Sequence, residues 1–100
     1  MPTQIVSAGK FRKVRYDTPR RRKVELQVEA SSPINVYLID AEDLDRFRSG
    51  GEVEGSHFSN TKRLETEVRL PLEFGAEWYL VIENPDEDKP VAVHYDVFDG

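Results

Sequence analysis

Hydrophobic residues recur at every second position through most of the chain, the spacing of strands that turn one face to a core and the other to water. From Lys23 to Ala30, residues Val24, Leu26, Val28 and Ala30 share one face while Lys23, Glu25, Gln27 and Glu29 share the other. Arg63 to Leu70 repeats the pattern, with Leu64, Thr66, Val68 and Leu70 opposing Arg63, Glu65, Glu67 and Arg69. Near the C-terminus Val91, Val93, Tyr95 and Val97 alternate with Ala92, His94, Asp96 and Phe98, which predicts the last strand. Ile34 to Ile39 and Trp78 to Ile82 are apolar or aromatic on both faces, as suits central strands covered on both sides. Weaker strands are predicted over Phe11 to Tyr16 and Gln4 to Ser7, where intruding charges mark a sheet edge.

Turn residues separate these runs: Thr18-Pro19, Ser31-Ser32-Pro33, Gly50-Gly51, Pro71, Gly75 and Asn84-Pro85-Asp86. One helix near residues 41–49 is expected. Asp40 serves as its N-cap, Asp43 imitates a capping box, Leu44 and Phe47 share a face at i, i+3 spacing, and Gly50 ends it. Such a short helix should lie over one end of the sheets. Residues Glu52 to Thr61, with only Val53 and Phe58 isolated among polar residues, read as a long loop or irregular strand. Seven or eight short strands with one short helix predict an all-β fold, an antiparallel β-sandwich of jelly-roll type filling residues 1–100 as a single domain.

Composition narrows the function. The 100 residues are 38% hydrophobic and 33% charged, so the chain can bury a core under a heavily charged surface. A net charge of −5 argues against a protein dedicated to coating DNA. Without cysteine there is no disulfide, thiol nucleophile or thiolate metal site, and packing must supply stability. The longest uninterrupted apolar run, Trp78 to Ile82, is far short of the roughly 20 residues a membrane-spanning helix needs. Met1-Pro2-Thr3-Gln4 lacks a basic segment followed by an apolar one, so a cytoplasmic location is expected.

Candidate chemistry is sparse. His57 and His94 would need further carboxylate ligands to hold a metal, and His94 with Asp96 describes an ordinary polar strand face. The chain has no Gly-x-Ser-x-Gly nucleophile turn, and Gly50-Gly51 leads into Glu52-Val53 rather than the Lys and Ser of a phosphate loop. Neither Asp40, Glu42, Asp43 and Asp45 nor Asp86-Glu87-Asp88 matches an EF-hand loop, and both clusters read as helix-dipole support and turn solvation. No catalytic residue, metal ligand or cofactor is expected, and the chain reads as non-enzymatic.

Charge distribution is the least ordinary feature. Lys10, Arg12, Lys13, Arg15, Arg20, Arg21, Arg22 and Lys23 face a single acid, Asp17, within residues 1–23, a local charge of plus seven that leaves minus twelve for the remainder. These eight cations are the candidate partner-binding residues. They could instead pair across strands with the protein's own Glu25, Glu65 and Glu67. The favoured role is binding another protein or a second copy of the chain through surface loops and strand edges. One alternative is a glycan- or lipid-headgroup-binding sandwich using Trp78, Tyr79 and Tyr37 as exposed platforms. Another is nucleic-acid or acidic-polymer binding through the basic segment, for which Phe11 and Tyr16 offer little stacking surface.

The runs Pro33-Ile34-Asn35-Val36-Tyr37-Leu38-Ile39-Asp40, Trp78-Tyr79-Leu80-Val81-Ile82-Glu83-Asn84 and Val91-Ala92-Val93-His94-Tyr95-Asp96-Val97 resemble strands of small β-sandwich accessory modules. The nearest types are GOLD-like domains, bacterial prepeptidase C-terminal-like domains and related bacterial domains of unknown function. The resemblance covers about two thirds of the chain and rests on strand patterning. It implies a jelly-roll-like sandwich with a binding or assembly role and carries over no catalytic residue. The paired cysteines of GOLD-like cargo-receptor domains have no counterpart in this sequence.

Overall fold

The computed structural model describes residues 3–72 and 74–99 as six antiparallel strands and one helix. The elements are β1 (Thr3–Val6), β2 (Phe11–Asp17), β3 (Lys23–Ile39), α1 (Ala41–Arg48), β4 (Ser56–Arg69), β5 (Glu77–Glu83) and β6 (Val91–Asp99). They form one sheet ordered β1-β6-β3-β5-β2, with β4 on the remaining side of β3. The all-β expectation holds, and the sheet curls into a half-barrel.

Strand number is lower than the seven or eight expected, because two predicted boundaries lie inside continuous strands. Ser31-Ser32-Pro33, read as a turn, lies within β3, and of the stretch read as a long loop or irregular strand, residues 56–61 are the first part of β4. Register breaks replace the missing turns: the β3–β4 ladder shifts between Glu29 and Ile34 and again before Val36, and Asn60 adopts a left-handed φ of 54°. A bulge bends a strand without ending it. That bend divides the sheet into two arms sharing the β3–β4 hairpin. In one arm residues 24–30 of β3 pair with β6, and in the other residues 35–39 pair with β5.

The period-two pattern determines what fills the concave side. Val24, Leu26, Val28, Ile34, Val36 and Leu38 of β3 meet Trp78, Leu80 and Ile82 of β5 and Val91, Val93 and Tyr95 of β6 in one buried cluster. The two-faced apolar runs have a second cover. On the outer side of the β5 arm, Ile39 and Val81 pack beneath Leu44 of α1, with Phe47, Phe11, Tyr37, Val53 and Tyr79 around them. The helix thus lies on a sheet face rather than over an end. Asp40 caps it by accepting a hydrogen bond from the Asp43 amide at 2.9 Å.

Trp78 is 1% exposed and stacks on Tyr16 with ring centroids 4.9 Å apart. It is core, leaving only Tyr37 and Tyr79 of the three proposed platforms partly exposed on the outer face. No helix among the described residues is long and apolar enough to cross a membrane.

Candidate functional site: the open basic edge

Strand β2 is the end of the sheet and, among the described residues, pairs only with β5, in unbroken register from Phe11 opposite Glu83 to Asp17 opposite Glu77. Two backbone bonds set the phase of this ladder. At one end the Asn84 amide donates to the Lys10 carbonyl at 2.9 Å, and at the other the Thr18 amide donates to the Ala76 carbonyl at 2.8 Å. Bonded and non-bonded pairs alternate in an antiparallel ladder, so the even-numbered residues of β2 turn their backbone groups to β5. The amides and carbonyls of Phe11, Lys13, Arg15 and Asp17 therefore point to the open side.

Side chains of these same four residues stand on the outer face, where Lys13 lies 5.9 Å from the Tyr79 ring centroid and Phe11 meets Phe47 edge-on at 4.9 Å. Val14 and Tyr16, on the inner side, pack only partly against the core. The edge consequently offers unpaired backbone groups, two cations and a half-covered apolar flank.

The eight predicted cations divide. Lys10, Arg12, Lys13 and Arg15 are exposed on or beside β2, and Arg20 and Arg21 are exposed in the following turn. Arg22 is structural: at a left-handed φ of 52° its guanidinium donates to the carbonyls of Pro71 at 3.1 Å and Phe74 at 2.7 Å, tying two loops together. Lys23 reaches Glu67 at 3.3 Å, and Arg15 pairs with Glu77. Both of these pairs are solvent-exposed, so they exchange readily for other partners.

Among the described residues, intramolecular neutralisation by Glu25, Glu65 and Glu67 is realised only through the Lys23–Glu67 pair. Topology puts β5 between β2 and β3, which carries Glu25, and β3 in turn between β5 and Glu65 and Glu67 of β4; Glu25 lies directly opposite Glu67 instead of opposite a cation. Like charges facing each other across a ladder repel. The outer face of β4 thus carries an acidic pair, Glu65 and Glu67, between Arg63 and Arg69, while that of β2 carries Lys13 and Arg15 between Phe11 and Asp17.

No family model and no curated protein sequence matches this chain.

Other candidate groups lie apart. His57, on β4, stacks on Tyr37 with centroids 4.3 Å apart and planes 8° from parallel, whereas His94, on β6, shares a 2.9 Å hydrogen bond with Thr3. A cleft of about 350 Å³ opens beside His57, lined by Tyr37, Phe47, Gly51, Glu52 and Val53. Glu83 accepts from the Asn35 side-chain Nδ2 at 2.9 Å and faces the Tyr37 hydroxyl; burial first, then Glu83, raises the Tyr37 pKa. Among the described residues no group of three or more metal-ligating side chains converges.

Periodicity did not reveal the part Asp43 plays. Its buried carboxylate accepts from Arg46 and from the amides of Glu54 and Gly55, the latter at 2.8 Å, fastening the loop after α1. The only sequence signal was an acid on a helix turn otherwise exposed. The loop after β5 is similarly self-contained, since Asp86 accepts from the amides of Asp88 and Lys89.

Proposed function

We propose that this chain is a non-enzymatic cytoplasmic binding or assembly module that adds an extended acidic protein segment to the open side of β2. Its finer fold class is a β-sandwich in which the two arms of the curled sheet serve as the layers. The observation that carries the reading is the phase of the β2–β5 ladder, which leaves the backbone groups of Phe11, Lys13, Arg15 and Asp17 unpaired beside the Lys13 and Arg15 charges. Strand addition draws affinity from main-chain hydrogen bonds and specificity from alternate side chains. Cations at the alternate positions select acids.

Titration of the full chain with an extended Glu/Val-alternating peptide, followed through backbone amide resonances, tests this. Shifts should concentrate on Phe11, Lys13, Arg15 and Asp17, and affinity should fall about tenfold between about 50 and about 500 mM salt as the charges are screened. Lys13→Pro should abolish binding while sparing the β5 ladder, because the lost amide is one that β5 does not use. Shifts centred on the Tyr37–His57 cleft, or undiminished binding by Lys13→Pro, would refute the reading.

A further inference from the structure

The open side of β4 provides a partner for the open side of β2. Among the described residues β4 pairs only with β3, and the Leu70 amide donating to the Arg22 carbonyl at 2.8 Å sets the phase of that ladder. The register runs without a break from Lys23 opposite Arg69 to Glu29 opposite Arg63. Even residues of β4 therefore bond to β3, and the backbone groups of Arg63, Glu65, Glu67 and Arg69 point outward. Their side chains are exposed on the outer face, as are Lys13, Arg15 and Asp17 of β2.

We infer that the segment accepted by β2 is β4 of a second copy of this chain, paired antiparallel with Phe11 opposite Arg69, Lys13 opposite Glu67, Arg15 opposite Glu65 and Asp17 opposite Arg63. This rests on the edge-binding reading and names its partner. Three opposite-charge pairs and one cation over an aromatic ring result, all at positions whose backbone groups are free on both strands. The inner faces match as well. Val14 falls opposite Thr66 and Tyr16 opposite Leu64, so apolar flanks left half-covered in the single chain cover each other.

Self-pairing of either edge over its full length is opposed by charge. Two β2 strands would set Lys13 against Arg15, and two β4 strands would set Glu65 against Glu67 and Arg63 against Arg69. Attraction between unlike edges combined with repulsion between like ones is how an interface selects its partner. Because the two edges belong to different parts of one molecule, the contact is heterologous and propagates head to tail, into a ring or an open chain.

Sedimentation of the full chain at low salt should show mass rising with concentration between about 10 μM and about 1 mM, the range expected of a small interface. High salt should reverse it. Lys13→Glu with Arg15→Glu, and separately Glu65→Lys with Glu67→Lys, should each give a monomer. Mixing the two double variants, or combining all four changes in one chain, should restore association. A wild type monomeric throughout, or no restoration on mixing folded variants, would overturn the inference.

Cysteine cross-linking needs no charge reversal and keeps the test decisive if those variants unfold. The chain has no cysteine, so Asp17→Cys mixed with Arg63→Cys should form a mixed disulfide at least tenfold faster than Asp17→Cys mixed with Arg69→Cys, the pair a parallel arrangement would favour. Equal rates would overturn the inference. Acidic-peptide binding to β2 of the wild type separates the two claims: peptide binding by a wild type that does not self-associate removes only the second copy, whereas absence of both removes the edge-binding reading too.

Discussion

At Tyr16 the two sides of the open edge meet. Its ring covers Trp78 from the inner face of a strand whose far edge has no strand beside it among the described residues. Burial first, then the nearby Tyr95, pushes its phenol up to about 12. A free phenol ionises near about 10, so the native state holds this proton more firmly than the unfolded chain does. That contribution to stability is complete below about pH 10 and is lost progressively as pH rises from about 10 to about 12. Urea midpoints should be level below that window and fall within it. Tyr16→Phe should remove much of the fall, and the smaller rise at Tyr37 acts in the same direction. An unchanged fall in Tyr16→Phe would show that the phenol is not held as described.

Among the elements, α1 and its following loop depend on side-chain polarity more than on area. The helix is eight residues long, too short to persist alone in water, and Leu44 and Phe47 dock it on β3 and β5. Asp43 then holds the chain beyond it through the amides of Glu54 and Gly55. Asp43→Ala should cost about 2–3 kcal/mol, since it leaves those amides and Arg46 without their charged acceptor. At Gly55 a Cβ would collide with the carbonyl of Leu38, so Gly55→Ala should also destabilise, by shifting the loop off β3. Urea denaturation of both variants checks this, and a loss under 0.5 kcal/mol in both, roughly that of an ordinary surface change, would contradict it.

For the whole molecule, the shared hairpin makes the two arms mechanically one. Leu26 in the β6 arm and Leu80 in the β5 arm are both fully buried in the same cluster. Leu26→Ala and Leu80→Ala should each cost about 2–5 kcal/mol. Trp78 emission and far-UV circular dichroism should nevertheless report one coincident transition in each variant. Separate transitions for the two arms would contradict a common core. A single cooperative unit with open edges of complementary charge pattern is also what an assembly module requires, because partners can then be added without unfolding any part of it.

Much of this architecture was legible in one dimension. Alternation over Lys23 to Ala30, Arg63 to Leu70 and Val91 to Val97 identified which side chains turn inward, because period two is a local property of an extended backbone. Asp40 and Leu44 likewise announced the helix. The two-faced runs Ile34 to Ile39 and Trp78 to Ile82 signalled cover on both sides without saying that α1 supplies it. Continuity through Ser31-Ser32-Pro33 was hidden, since turn-forming residues also suit a bulge, and only the register with β4 distinguishes the two.

The clustering of cations before Lys23 and the surplus of acids after it belong to the sequence itself. Tertiary structure decided that Arg22 is consumed in joining loops, that Glu25 confronts Glu67, and that β2 and β4 each keep one side unpaired. The physical reason is that side-chain alternation depends on neighbours along the chain, whereas hydrogen-bond partnership depends on how distant strands are brought together by the curl of the sheet.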